Sequence, residues 1–423
     1  MKTAAIIAEF NPLHNGHKYI IDEARRLTGA DCIVIVMSGN FTQRGDIAIA
    51  PKAVRAAAAI ACGADAVFEL PFAYSTSSAE HFASASVALL NSLGGIDYLV
   101  FGAENDNIDI LSAAAELLLK ESDEFKKKLN EYLSCGASFP LAREYAFVSE
   151  GGSPYIFTPN NILAIEYIKA LIKFCSPITP VAVKRLGLGY NDSAYSPDKG
   201  YISATAFRNE VSSHNSLSAV EAFLKSTLPE GSSNRLLESY GQCFPVCNDD
   251  MYIYLRYALI QSRDKLIDYA DFSPALANRI NNLLEKKGNI AFEGNYEDFI
   301  LKLKTKNITA SRIKRALLHL LTRLSDTDMA TFLGLVRNGK LPYARLLAVS
   351  ENGQLFLSHI RKDSNICIIN SLGKSISVLS DEGKQLIRYD ILSSDIYASI
   401  VSGKFHYQLK DEYRQQVCRV DTV

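Results

Sequence analysis

The first hundred residues alternate between short apolar runs and helical stretches, and this alternation restricts the fold more than any other feature of the chain. Thr3–Glu9 reads as a strand, and His17–Leu27 as a helix with Tyr19, Ile20 and Ala24 on its apolar side. Asp31–Met37 (Asp-Cys-Ile-Val-Ile-Val-Met) is continuously apolar, the pattern of a strand covered on both faces. Alanine-rich Lys52–Cys62 is a second helix, Ala66–Leu70 a third strand, Ser77–Leu93 a further helix and Ile96–Phe101 a fourth strand. Strand and helix in turn imply βαβ units, a parallel sheet and right-handed crossovers. Residues 107–149 read as charged helices, Asn160–Phe174 as a helix and Pro180–Lys184 as a fifth strand. The chain therefore begins with an α/β domain, expected over residues 1–213. Residues 214–340 read as a mainly helical domain. Residues 341–423 read as a small α+β C-terminal part with short strands at Ala344–Val349 and Ile366–Ile369.

Bulk properties narrow the class. Of 423 residues, 48% are hydrophobic and 22% charged, as in a soluble globular protein, and the net charge of −1 makes any basic surface local. No run approaches the ~18 apolar residues of a membrane span, so no membrane is expected as a partner. The N-terminus does not read as a signal peptide. The eight cysteines are scattered, and the one close pair, Cys243 and Cys247, lacks a second pair or a histidine at ligand spacing. A reduced, cytoplasmic protein with no bound metal is the simplest expectation.

The chemistry concentrates where the first strand ends. In an open parallel sheet, ligands bind outside the carboxyl ends of the strands. Residues Glu9-Phe-Asn-Pro-Leu-His-Asn-Gly-His17 occupy that place. The following helix turns its free N–H groups and positive dipole end toward the same spot, which favours phosphate. Gly16 permits close approach. His14 and His17, three residues apart across the turn, can face one bound group and donate to charge that builds during phosphoryl or nucleotidyl transfer. The competing account is that one histidine caps the helix and the other is solvated. The polar loop Ser38-Gly-Asn-Phe-Thr-Gln-Arg-Gly45 after the second strand lies where a nucleophile would have to enter. It proposes Ser38, Asn40 and Gln43 as a pocket for the attacking group, against an ordinary connecting loop. Lys18 and Lys52 are weaker candidates for phosphate contact.

Residues 299–325 hold Lys302, Lys304, Lys306, Arg312, Lys314, Arg315 and Arg323 and no acid. Such a strip is the electrostatic footprint of nucleic-acid contact or simply a solvated helix. Arg312, Arg315 and His319 share one helix face by spacing. Lys302, Lys304, Lys306, Arg312 and Arg315 are the candidate RNA contacts.

The His14-Asn-Gly-His17 stretch resembles the H-x-G-H signature of nucleotidylyltransferases. Its wider context is Met37-Ser-Gly-Asn-Phe-Thr-Gln-Arg-Gly45, Glu69-Leu-Pro-Phe-Ala-Tyr74, Phe101-Gly-Ala-Glu104, Pro159-Asn-Asn-Ile-Leu163, Lys184-Arg185, Ile202-Ser-Ala-Thr-Ala-Phe-Arg208 and Leu341-Pro-Tyr-Ala-Arg345. In that order the series resembles the bacterial tRNA(Met) cytidine acetate ligase family. The resemblance implies a Rossmann-like nucleotidylyltransferase (HUP-type) domain. It implies that ATP and acetate form acetyl-adenylate and that the acetyl group passes to N4 of the wobble cytidine in the anticodon loop of elongator tRNA(Met). It implies ATP contacts from Ile7, Ala8, Glu9, Phe10, Asn11, Pro12, His14, Asn15, Gly16, His17, Gly102, Asn161, Arg185 and Ser203, with His14 and His17 catalytic, acetate in the pocket of the 38–45 loop, and Mg2+ accompanying ATP. Lys306-Asn-Ile-Thr309 stands where the family pattern has Lys-Arg-Tyr-Thr, which removes a cation and an aromatic from the RNA surface. The alternatives are a small-molecule adenylyltransferase of cofactor metabolism and a non-catalytic RNA-binding adaptor.

Overall fold

The computed structural model describes residues 1–154, 156–185, 204–211, 216–360, 364 and 366–420. Five parallel strands, β1 (Thr3–Ala8), β2 (Cys32–Ser38), β3 (Ala66–Leu70), β4 (Tyr98–Ala103) and β5 (Thr179–Lys184), form one sheet. Three more strands, β6 (Tyr343–Val349), β7 (Cys367–Ile369) and β8 (Cys418–Arg419), complete it. The order is β5-β4-β1-β2-β3-β6-β7, with β8 also paired to β6. The strand order reverses at β1, which has β4 on one side and β2 on the other, so the crevice for a ligand opens at its carboxyl end.

Alternation along the strands divides the core in two. Ala4, Ile6, Ile33, Ile35, Met37 and Val67 face α1 (Asn15–Thr28) and α2 (Lys52–Ala61), against Ile21, Ala24, Ala56, Ala59 and Ile60. Ala5, Val34, Val36, Phe68 and Leu99 face the other way, into the larger core shared with the helical region. All seven residues of β2 are buried, as its unbroken apolar run requires. α1 ends at Gly29, whose φ of 63° provides the left-handed C-cap.

The fold is α/β as expected, and the C-terminal strands join the same sheet: β6 runs antiparallel beside β3, with Glu69 opposite Arg345 and Ala66 opposite Val349. The long helix Asp381–Phe405 reaches back as well. Its Asp390 accepts from the Phe72 N–H at 2.7 Å, and its Tyr397 hydroxyl donates to the Ala48 carbonyl at 2.9 Å. The helical region packs directly on the loop after β2. A Cβ on Gly45 would lie 2.6 Å from the backbone of Lys314 and Arg315, so the loop and the Ala310–Thr322 helix touch main chain to main chain. Among the described residues, no helix is long and apolar enough to cross a membrane.

Candidate active site

The turn from β1 into α1 builds the centre of the site. Phe10 has φ 48°, in the left-handed region, and the Asn11–Pro12 bond is cis. His14 is the N-cap of α1, with φ −111° and ψ 175°. Its Nδ1 accepts from the Gly16 N–H at 3.1 Å, and its own N–H donates to His17 Nδ1 at 3.3 Å, a reciprocal capping box made of two imidazoles. The rings stack with centroids 3.9 Å apart and planes 23° apart, and the Phe10 ring meets His17 edge-on at 5.1 Å. Gly16 is needed there, because a Cβ would sit 2.9 Å from His14 Cε1.

Both rings thus take part in capping the helix. Burial, and then the charge of Arg185, push His14 down to about 4. Burial, then His14 and Arg185, hold His17 well below the usual imidazole range. Both rings are neutral at pH 7. Each Nδ1 is occupied as an acceptor, so the hydrogen-bond pattern assigns each ring proton to Nε2. Two neutral Nε2–H donors at a helix N-terminus suit an anion that gains charge during reaction.

The opposite wall comes from β4 and β5. Gly102 leaves room for Arg185: a Cβ there would lie 3.3 Å from Arg185 Cγ and 2.9 Å from Ile20 Cδ1. The exposed Arg185 donates to Asn160 Oδ1 at 3.1 Å. Glu104 organises this wall, accepting from Thr158 Oγ1 at 2.7 Å, Asn160 Nδ2 at 2.5 Å and Asn161 N at 3.0 Å. Burial alone would raise its carboxyl, but these donors keep it below the usual range. Asn161 is buried, and its Oδ1 accepts from the N–H groups of Glu104 and Asn105 at 2.9 and 3.0 Å, so that oxygen shapes the turn.

At the end of β1, Ile7, Ala8 and Glu9 are half-buried. Glu9 Oε1 accepts from the Gln43 N–H at 2.6 Å, and burial raises its carboxyl. Asn11 is buried, its Oδ1 accepting from Ile49 N at 2.8 Å. Asn15 Nδ2 donates to the Thr227 carbonyl at 3.3 Å. Ser203 and the loop Gly187–Gly200 lie outside the described residues. Arg208, at the end of the same motif, lies on the Ala204–Val211 helix and donates from Nη1 to the Asn11 carbonyl at 3.0 Å.

The expected pocket of Ser38, Asn40 and Gln43 is only partly assembled. Asn40 turns away: its Oδ1 accepts from Lys52 N at 2.9 Å at the start of α2, and its Nδ2 reaches Ser394 Oγ at 3.4 Å. Gln43 stays at the edge of the site through Glu9. Ser38 is fully buried, and its Oγ has no hydrogen-bond partner among the described residues. The sequence reading missed Arg55. This 1% exposed guanidinium donates to the carbonyls of Glu9, Ser38, Gly39 and Ala50, tying the ends of β1 and β2 together. An arginine inside an alanine-rich helix, with no acid within four residues, was its signal.

Lys52 does not serve the phosphate site. Its Nζ lies 2.7 Å from Glu69 and 2.9 Å from Glu412, and Arg345 pairs with the same two carboxylates. A cavity of about 410 Å3 opens beside this cluster, lined by Asn40, Arg345, Ser394, Glu412 and Gln415 among others.

The basic strip also turns inward. Arg315 is buried and paired with Asp271 at 2.9 Å, and His319 is fully buried between the carbonyls of Ala270 and Thr76, each 3.1 Å away. Lys314 contacts Asp46 at 2.9 Å and Glu297 at 2.6 Å. Arg312 donates to the Asp271 carbonyl at 3.2 Å, and Lys302 to that of Glu293 at 2.6 Å. Lys304 and Lys306 are exposed. Two of the acids that partner the strip, Asp46 and Asp271, come from distant segments, so the local sequence could not show them. Among the described residues, no group of three or more His, Cys, Asp or Glu could hold a metal ion.

A parallel sheet with paired imidazoles at its switch point defines the class: an α/β nucleotide-binding enzyme of the nucleotidylyltransferase type. The model of the HIGH Nucleotidyl Transferase family matches residues 1–412. The tRNA(Met) cytidine acetate ligase of Caldicellulosiruptor saccharolyticus is 37% identical over 419 residues, 98% of each chain. That of Acetivibrio thermocellus is 34% identical over 426 residues, 99% of each. The crystal structure of Thermotoga maritima TmcAL bound with alpha-thio ATP superposes with a TM-score of 0.87 at 28% identity, covering all of both chains. The chain belongs to the tRNA(Met) cytidine acetate ligase family of HIGH nucleotidyl transferases.

Proposed function

We propose that this enzyme joins acetate to the wobble cytidine of elongator tRNA(Met) in two steps. An acetate oxygen attacks the α-phosphorus of ATP. The bond to the β-phosphate breaks, giving acetyl-adenylate and pyrophosphate. The N4 amine then attacks the acyl carbon, the bond to AMP breaks, and the amine loses a proton. The observation that carries this reading is the stacked, neutral His14–His17 pair at the N-terminus of α1, with both Nδ1 atoms occupied as acceptors and the ring protons on Nε2. These donors and the N-terminus of α1 stabilise charge on the phosphates. Arg185 and Arg208 flank them as cations, with Gly102 and Asn161 shaping the nucleotide wall. Glu9, Ser38 and Gln43 border the entry for acetate. Mg2+ has no carboxylate cluster to hold it among the described residues, so it would arrive as the ATP complex.

The RNA enters as a single-stranded anticodon loop, whose bases can be splayed and read. Lys304 and Lys306, with Lys302 and Arg312 behind them, are the cations of the strip that favour this docking. Free cysteines and a tRNA substrate agree with work in the cytoplasm. The test is acetate-dependent exchange of labelled pyrophosphate into ATP. Wild type is expected to exchange only with acetate, and His14→Ala and His17→Ala to lose about 10²–10³-fold, the scale of one preorganised donor. Absence of exchange with acetate, with or without tRNA, would replace this reading by adenylyl transfer to a small acceptor.

A further inference from the structure

Arg55, in the first turn of α2, carries a buried charge that no carboxylate answers. Every hydrogen bond of its guanidinium goes to a main-chain carbonyl. Nε donates to Ala50 at 3.0 Å, Nη1 to Glu9 at 2.6 Å and to Ser38 at 3.2 Å, and Nη2 to Gly39. Burial pulls the group down to about 10, and Tyr397, Glu9 and Glu69 act on it only through space. It is therefore still a cation at pH 7, with no ion pair among the described residues. Other buried cations of the molecule are matched: Lys52 and Arg345 meet Glu69 and Glu412, and Arg315 meets Asp271.

A buried cation without a carboxylate is costly, and fastening carbonyls does not by itself require a full charge. The carbonyls concerned lie at the carboxyl ends of β1 and β2, the edge where ligands of a parallel sheet bind. Left alone, they would add negative potential where two anions, a carboxylate and a triphosphate, have to meet. Glu9 lies on one side of that entry, just before the left-handed Phe10 and the turn to His14, and Ser38 and Gly39 lie on the other. We infer that Arg55 is a positioning residue for acetate: from behind the strand ends it holds both sides of the entry and supplies the positive potential that lets a carboxylate approach ATP. It touches neither substrate. This inference rests on the acetate reading proposed above.

The test is pyrophosphate exchange in Arg55→Lys and wild type, with KM for acetate and for ATP followed from about pH 6 to about pH 9. Burial depresses a lysine, so the variant's charge is lost as pH rises, whereas the guanidinium keeps its own. The ratio of the variant's acetate KM to that of wild type is expected to rise about tenfold across this range, the scale of one nearby charge. The KM for ATP moves less. A purely structural role would lower the melting temperature and kcat and leave the acetate ratio flat with pH. A flat ratio, or an ATP KM that moves as much as that for acetate, overturns the inference. If Arg55→Lys does not fold, the wild-type enzyme decides between charge and shape. Neutral acetamide is expected to compete with acetate at least about tenfold more weakly than the anion formate, and equal competition overturns the inference. A wild-type enzyme that exchanges no pyrophosphate with acetate overturns the acetate reading itself, which separates the two failures.

Discussion

At the end of β1, His14 and His17 are stacked and neutral; the His17 ring bonds the Pro12 backbone, and His14 keeps its Nε2–H toward the site. Two strands away at the same edge of the sheet, Lys52, Glu69, Arg345 and Glu412 are almost fully buried, and each charge is spent on a neighbour. Both clusters gather near strand ends, with His17 in the first turn of α1 and Lys52 in the first turn of α2. They differ in what remains unsatisfied. A site that must receive a triphosphate keeps donors in reserve and avoids a fixed counter-ion. A joint that must hold β6 against β3 cancels its charges internally. Excess donor capacity at a strand end, more than charge itself, separates a binding site from a fastening.

Breaking the fastening should have the largest effect. Lys52→Met leaves Glu412 and Glu69 short of a cation in a buried place and should cost about 3–5 kcal/mol, read by denaturant unfolding. Adding Glu412→Gln to that variant should recover part of the loss, because the surviving charges again balance. The histidine pair should show itself through pH. In the unfolded chain these imidazoles titrate near 6.5, whereas His14 in the fold is held at about 4. As pH falls below about 6.5 the unfolded state takes up protons that the folded state refuses. Stability of the nucleotide-free protein present above that point should decline as pH drops toward about 4. A melting temperature that is flat from pH 7 to 4.5, or that rises, would contradict neutral imidazoles. The smallest effect should come from separating the two duties of His14. His14→Asn preserves an N-cap acceptor, so its melting temperature should stay close to wild type, whereas His14→Ala should lose about 1 kcal/mol. Both variants should fail in pyrophosphate exchange alike. Retained exchange in His14→Asn would assign the ring a capping duty only.

The parts of this architecture that could be read in the sequence are those set by local pattern. β1 to β4 stand out because each is a continuous apolar run closed by Gly, Pro or charge, and the βαβ order follows from it. The H-x-G-H turn could be located because a helix N-terminus at a strand end has one physical use above others. β6 was visible as a strand, but its partner was not. An antiparallel pairing between Glu69 and Arg345 leaves no mark in either segment alone. The same holds for Arg315 and His319, whose periodicity gave the correct helix face. That face turns inward because Asp271 and the Ala270 and Thr76 carbonyls, far away in the chain, wait there to pair with it. Asn40 was assigned to a ligand because it sits in a polar loop. It caps α2 because its Oδ1 meets the Lys52 N–H.

The late arrival of β6 has a consequence during synthesis. β3 ends at Leu70 and its neighbour begins at Tyr343. At about 5–20 residues per second, a ribosome needs on the order of 15–55 s to make the intervening segment. Throughout that interval β3 is an unpaired sheet edge whose Glu69, and the Lys52 of α2 beside it, lack their second partners, the kind of edge that recruits foreign strands. The nascent chain is thus exposed for most of its translation, and the burden of shielding it falls on chaperones and on the charges beside the strand.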